Sequence, residues 1–174
     1  MLIAFYKSTR PGFQGIANRV IRLRLRSIYS HCEVVFEPED QVGRWMPDGS
    51  SARGADGSLW CASSVAGEAL PAHSPRRAGK TGGVRFKRIV LNPDHWDVRR
   101  VALNQALGAA EWFKAHEGEL YDWQLILGFV SWAIPQKAQR WTCSEACAAA
   151  LGVPESDAWR FDPANLESAA GAWM

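Results

Sequence analysis

Apolar and polar positions recur along this chain with two different periods. Leu2–Tyr6 is a short apolar run followed by the turn-like Thr9-Arg10-Pro11-Gly12, which predicts a strand. Over 30–36 the side chains divide by a period of two, with Cys32, Val34 and Phe36 on one face and His31, Glu33 and Val35 on the other. Residues 58–64 and 84–91 read as two more strands, the second alternating Val84 and Phe86 with Arg85 and Lys87. Two stretches rich in turn-forming residues, 37–57 and 65–83, separate these strands. Asn92-Pro93-Asp94 is a turn signal, so a strand over 96–102 is expected to complete a hairpin across it.

Helical spacing governs the other segments. Over 16–25, Ile16, Ala17, Val20, Ile21 and Leu23 share one face, and Arg19, Arg22 and Arg26 another. Asn104 is placed to cap a helix running to 115, with Leu107, Ala110, Glu111 and Phe113 at helical spacing. Residues 123–133 predict a mostly buried helix that stops before Pro135. Residues 143–151 predict another, closed by Gly152. The tail to Met174 reads as irregular or short helix. Strands come first and helices after, the order of a single α+β domain over 1–174.

Composition adds limits. A chain of 174 residues, 47 % hydrophobic and 22 % charged, has the means for one globular core. The longest nearly apolar run, 125–134, is half the length of about 20 residues that a bilayer span needs. No basic-then-apolar leader opens the chain, so a cytoplasmic protein is expected. The net charge of +2 hides an uneven spread, since the first 32 residues hold six basic side chains and no acidic one. The basic helix face is either solvated or a contact for an anionic surface. Nine tryptophans suit an aromatic-walled cleft as well as a core.

The chemistry centres on Trp141-Thr142-Cys143-Ser144-Glu145. Thr142 followed by Glu145 three positions on matches a capping box. That places Cys143 at the first helical position, where free amides and the helix dipole both favour a thiolate. Cys147 lies one turn further, but C-x-x-x-C is not a zinc spacing of weight, so no metal site is expected. Cys32 and Cys61 fall in strands and are expected in the core. A nucleophilic thiol needs a base. Of the four histidines, His73 and His95 lie in loop or turn context and His116 at a helix end. His31 alone is presented by a strand whose core face does not need it.

Tyr29-Ser30-His31-Cys32-Glu33-Val34-Val35 early in the chain, with Tyr121-Asp122-Trp123 and Thr142-Cys143-Ser144-Glu145 late, resembles the NlpC-type papain-like cysteine hydrolases. The closer resemblance is to their circularly permuted branch, with the YiiX-like and lecithin-retinol-acyltransferase-like proteins, in which the histidine strand precedes the cysteine helix. It covers about residues 1–152. The resemblance implies a permuted papain-like fold, an antiparallel sheet packed on the cysteine helix. It implies Cys143 as nucleophile, His31 as general base, and neither metal nor organic cofactor. The imidazole's orienter is Glu33, on the same strand face, or Ser63, on the neighbouring strand. Glu33 is the expected choice because a carboxylate steadies an imidazolium better than a hydroxyl does. Tyr121 and Ser63 are expected to line the site, Tyr121 either beside the developing oxyanion or as a core residue.

The implied activity is an amidase, peptidase or acyl transferase acting on cell-wall peptide or lipid amide and ester bonds. The expected partner is a small-molecule, peptide or lipid substrate, with room for peripheral membrane contact and no nucleic acid. The alternative is a papain-like binding module without turnover, whose basic helix meets an anionic membrane surface or nucleic acid.

Overall fold

The strands of the computed structural model are β1 (Leu2–Tyr6), β2 (His31–Phe36), β3 (Leu59–Ala69), β4 (Thr81–Ile89) and β5 (Trp96–Arg100). They form one antiparallel sheet in the order β4-β3-β2-β1-β5, so β2 lies at its centre. A short parallel pair, β6 (Leu120–Tyr121) and β7 (Arg140–Trp141), leads into the helices at the C-terminal end. The helices are α1 (Ala106–His116), α2 (Cys143–Ala150), α3 (Glu155–Ala158) and α4 (Pro163–Ala170). The structure describes residues 1–9, 19, 22, 23, 25–101, 103–122 and 140–171.

The period of two in β2 sorts its side chains as expected. Cys32, Val34 and Phe36 join Ile3, Phe5, Ala62 and Phe86 in the core shared with α1, α2 and α4. The opposite face is buried too, around Ala4, Val35, Cys61 and Trp96. Glu33, Ser63 and Arg85 on that second face do not reach water, and each needs a partner.

All eight residues of α2 are buried, and the last five, Ala146 to Ala150, are an unbroken run of alanine and cysteine. Small side chains let this helix lie close on β2 and β3. Gly152, at φ +93°, ends the turn after it. Val153 N–H donates to the Ala148 carbonyl and Gly152 N–H to the Ala149 carbonyl, the paired bonds of a Schellman stop.

Several expectations need correction. The strand over 96–102 is β5, but it does not form a hairpin with β4. It crosses the sheet to pair with β1, where Ala4 meets Val98 and Tyr6 meets Trp96. A turn signal reports a change of direction, not the partner chosen afterwards. β3 runs to Ala69, five residues beyond the expected end, because an irregularity between Val65 and Ala69 lets pairing with β4 resume. Asn104 is not a helix cap. A 3-10 turn covers Leu103–Gln105, and Gln105 precedes α1 without a side-chain cap. Leu107 points outward at 45 % exposure, while Ala106, Ala109, Ala110 and Phe113 face the core. The helix expected over 123–133 lies outside the described residues, as does most of the one expected over 16–25. No described helix is long and apolar enough to cross a membrane.

Candidate active site

α2 begins as its sequence dictates. Thr142 has extended backbone and accepts from the Glu145 amide at 3.3 Å, while Glu145 accepts from the Thr142 amide at 2.7 Å. Both residues are buried, so the reciprocal bonds fix the start of the helix without competition from water. Cys143 occupies the first helical position, as expected.

His31 opens β2, directly across from Tyr6 at the end of β1. Its imidazole is in hydrogen-bonding contact with the Cys143 thiol, which joins two elements far apart in the chain. Nε2 lies 2.8 Å from Oε1 of Glu33. An ionised carboxylate only accepts, so Nε2 carries the hydrogen and Nδ1 is the nitrogen left for the thiol. Trp96 stands edge-on to the ring, with centroids 6.3 Å apart. The imidazole is thus held by a carboxylate and flanked by an indole.

The electrostatics run in one direction. Glu33 has no exposed surface, and burial alone would raise its pKa, but the guanidinium of Arg85 and the bond from His31 lower it to about 2. Burial likewise pulls His31 down, but the charge and bond of Cys143, then those of Glu33, raise it to about 9. The Cys143 thiol is held well below its ordinary range, first by a hydrogen bond from Cys32, then, against the opposing effect of burial, by His31. These directions describe a thiolate beside an imidazolium.

Arg85 is the residue that the sequence pattern missed. Its Nη1 and Nη2 donate to Oε2 and Oε1 of Glu33 at 2.7 and 2.6 Å, and the pair is completely enclosed. Alternation only places Arg85 on the face opposite Val84 and Phe86. The usable signal was an acid and a base, Glu33 on β2 and Arg85 on β4, on the same sheet face with only β3 between them.

Ser63 explains how they meet. Val34 pairs with Ala62, and one further step of that register brings Glu33 level with Ser63, which itself pairs with Arg85. Glu33, Ser63 and Arg85 therefore stand in a row across three strands, and the small serine leaves space for the guanidinium to lie across it. The Ser63 hydroxyl donates to the Cys32 carbonyl at 2.7 Å rather than to His31. Tyr121 is buried and pairs with Trp141, two residues before Cys143. Burial, then the negative charge of Cys143 and Glu145, pushes its phenol pKa well up. Tyr121 therefore stands at the site as a neutral phenol.

Cys32 and Cys61 are core residues, as expected, and Cys147 is buried as well, but Cys32 is more than filler. It is in hydrogen-bonding contact with both Cys143 and Cys147, and burial pushes its own pKa up, so it is a donor to the thiolate. Among the described residues, no group of three His, Cys, Asp or Glu side chains is arranged to hold a metal ion. The remaining histidines serve elsewhere: His73 bonds the Phe86 carbonyl, and His116 bonds the Trp112 carbonyl and stacks on its ring. No family model, no curated protein and no solved structure matches the chain.

Proposed function

We propose that the chain is a cysteine hydrolase or acyl transferase of the permuted papain-like kind, acting on amide or ester bonds. The observation that carries this reading is the continuous contact from the Cys143 thiol through His31 to Glu33, at the start of a capped helix. The order of the parts, base strand before cysteine helix, supports the permuted arrangement.

In this reading the Cys143 thiolate attacks a carbonyl carbon, and a tetrahedral oxyanion forms. The Cys143 amide, at the first position of α2 and ahead of the first intrahelical bond, stabilises that charge. The His31 imidazolium gives its proton to the departing amine or alcohol, and an acyl thioester remains on Cys143. A water or acceptor hydroxyl then loses its proton to His31 and attacks the thioester, which restores the thiolate and the imidazolium. Glu33 keeps the hydrogen on Nε2 throughout, so that Nδ1 always serves the reacting side. The substrate is a cell-wall peptide or a lipid amide or ester.

The test is a panel of acyl esters and peptide amides with intact-mass readout. An acyl adduct on Cys143 in the wild type, lost in Cys143→Ala and not formed in His31→Ala, supports the reading. A chain that takes no acyl group from any member while its thiol remains alkylatable overturns it.

A further inference from the structure

Burying a full ion pair is costly, and an apolar pair of the same volume is often as stable or more so. The Glu33–Arg85 pair is buried all the same, reaching from the central strand β2 across to the edge strand β4, and Arg85 Nε finds no hydrogen-bond partner among the described residues. A buried donor without a partner calls for an explanation. What the pair does have is continuity. The ionisable groups alternate in sign from Cys143 to His31, Glu33, Arg85, Glu68 and Lys87, the last two reaching the surface of the sheet.

From this geometry we infer that Arg85 is a positioning residue of the candidate site: it fixes Glu33 in one orientation as an anion, and through Glu33 it sets the charge state of His31 and Cys143. The inference rests on the reading of Cys143 and His31 as nucleophile and base. Arg85 touches neither of them. Its two donors occupy both oxygens of Glu33, so the carboxylate cannot rotate away from Nε2. Without a cation beside it, a carboxylate enclosed like this has two options. It keeps its charge and repels the thiolate, or it takes up a proton and stops steadying the imidazolium. Both disfavour the thiolate. The other groups that face the array are Cys61 beside Glu33 and Arg85, Glu68 beside Arg85, and Cys32 and Tyr121 beside Cys143. Cys61 and Tyr121 have their pKa values pushed up by burial, so neither supplies a charge near neutrality.

The experiment is the pH dependence of Cys143 alkylation by iodoacetamide, followed by peptide mass, with folding checked by circular dichroism. Arg85→Met should move the midpoint up by about one pH unit, which is roughly tenfold slower alkylation below the midpoint. Arg85→Lys keeps the charge but not the paired bonds, and should move it less; should Arg85→Met not fold, an upward shift in Arg85→Lys carries the test. In a Glu33→Gln background, Arg85→Met should add nothing, because the group through which Arg85 acts is gone. An unchanged midpoint in folded Arg85→Met and Arg85→Lys, or a full shift persisting without Glu33, overturns the inference. Acyl transfer is scored separately. If the wild type accepts no acyl group but the midpoints move, the proposed function fails and the role of Arg85 stands.

Discussion

Thr142 and Glu145 each satisfy the other's backbone amide, and the residue caught between them is Cys143. The cap therefore positions the proposed nucleophile as well as starting the helix. Thr142→Ala should destabilise the protein by about 0.5–2 kcal/mol, the usual worth of a capping side chain. Urea unfolding reads that loss. Cys143 alkylation should slow in the same variant, because the first turn no longer presents its amides in one place.

Four cysteines are free, but their surroundings differ. Iodoacetamide at pH 6.5 should label Cys143 ahead of Cys32, Cys61 and Cys147. Burial pushes the Cys32 and Cys61 thiols up, whereas Cys143 is held down. Peptide mass mapping gives the order, and equal labelling of Cys143 and Cys32 would contradict an activated thiol.

Cys32 contributes the strongest influence on that thiol through a hydrogen bond. Cys32→Ala removes the donor and should raise the alkylation midpoint of Cys143. Cys32→Ser supplies another donor of similar size and should restore most of it. A serine variant that behaves like the alanine one would assign the effect to packing instead.

Glu33 links the site to acid stability. Its folded pKa of about 2 lies below the ordinary 4.5, so its contribution is fully present above 4.5 and lost as pH falls toward 2. That contribution is on the order of 3 kcal/mol at neutral pH. Glu33→Gln should therefore be less stable than wild type at pH 7, and the gap should narrow at pH 3. His31 should titrate below its wild-type value of about 9 in this variant, followed by NMR of the ring proton. If His31 titrates as in the wild type, Glu33 does not orient it.

Ser63 separates size from hydrogen bonding. Ser63→Ala loses one bond to the Cys32 carbonyl, worth about 1 kcal/mol, and should leave the alkylation profile in place. Ser63→Leu fills the space between Glu33 and Arg85 and should disturb that profile strongly. Similar profiles in the two variants would mean that the guanidinium does not need the room.

Much of this site was legible because its grammar is local. Thr142 and Glu145 are three positions apart, and the spacing alone places Cys143 at the helix start. His31 and Glu33 share a face because a strand has a period of two. Non-local partners were not legible. The pairing of β5 with β1 rather than β4 depends on contacts across the whole sheet. Arg85 was not legible as a site residue for the same reason. Alternation assigns it to the face opposite Phe86, but only the fold shows that this face is covered as well.

The positions of these groups along the chain also set an order in time. Glu33, Ser63 and Arg85 all belong to β2, β3 and β4, which end at Ile89, whereas Cys143 belongs to the last third of the sequence. A ribosome adding about 5–20 residues per second takes roughly 3–10 s to pass from one to the other. The carboxylate and guanidinium are therefore already made when the Cys143 thiol first emerges. In the proposed reading, the cysteine carried on the late helix has its charge-setting partners waiting for it, which shortens the interval in which it is exposed without them.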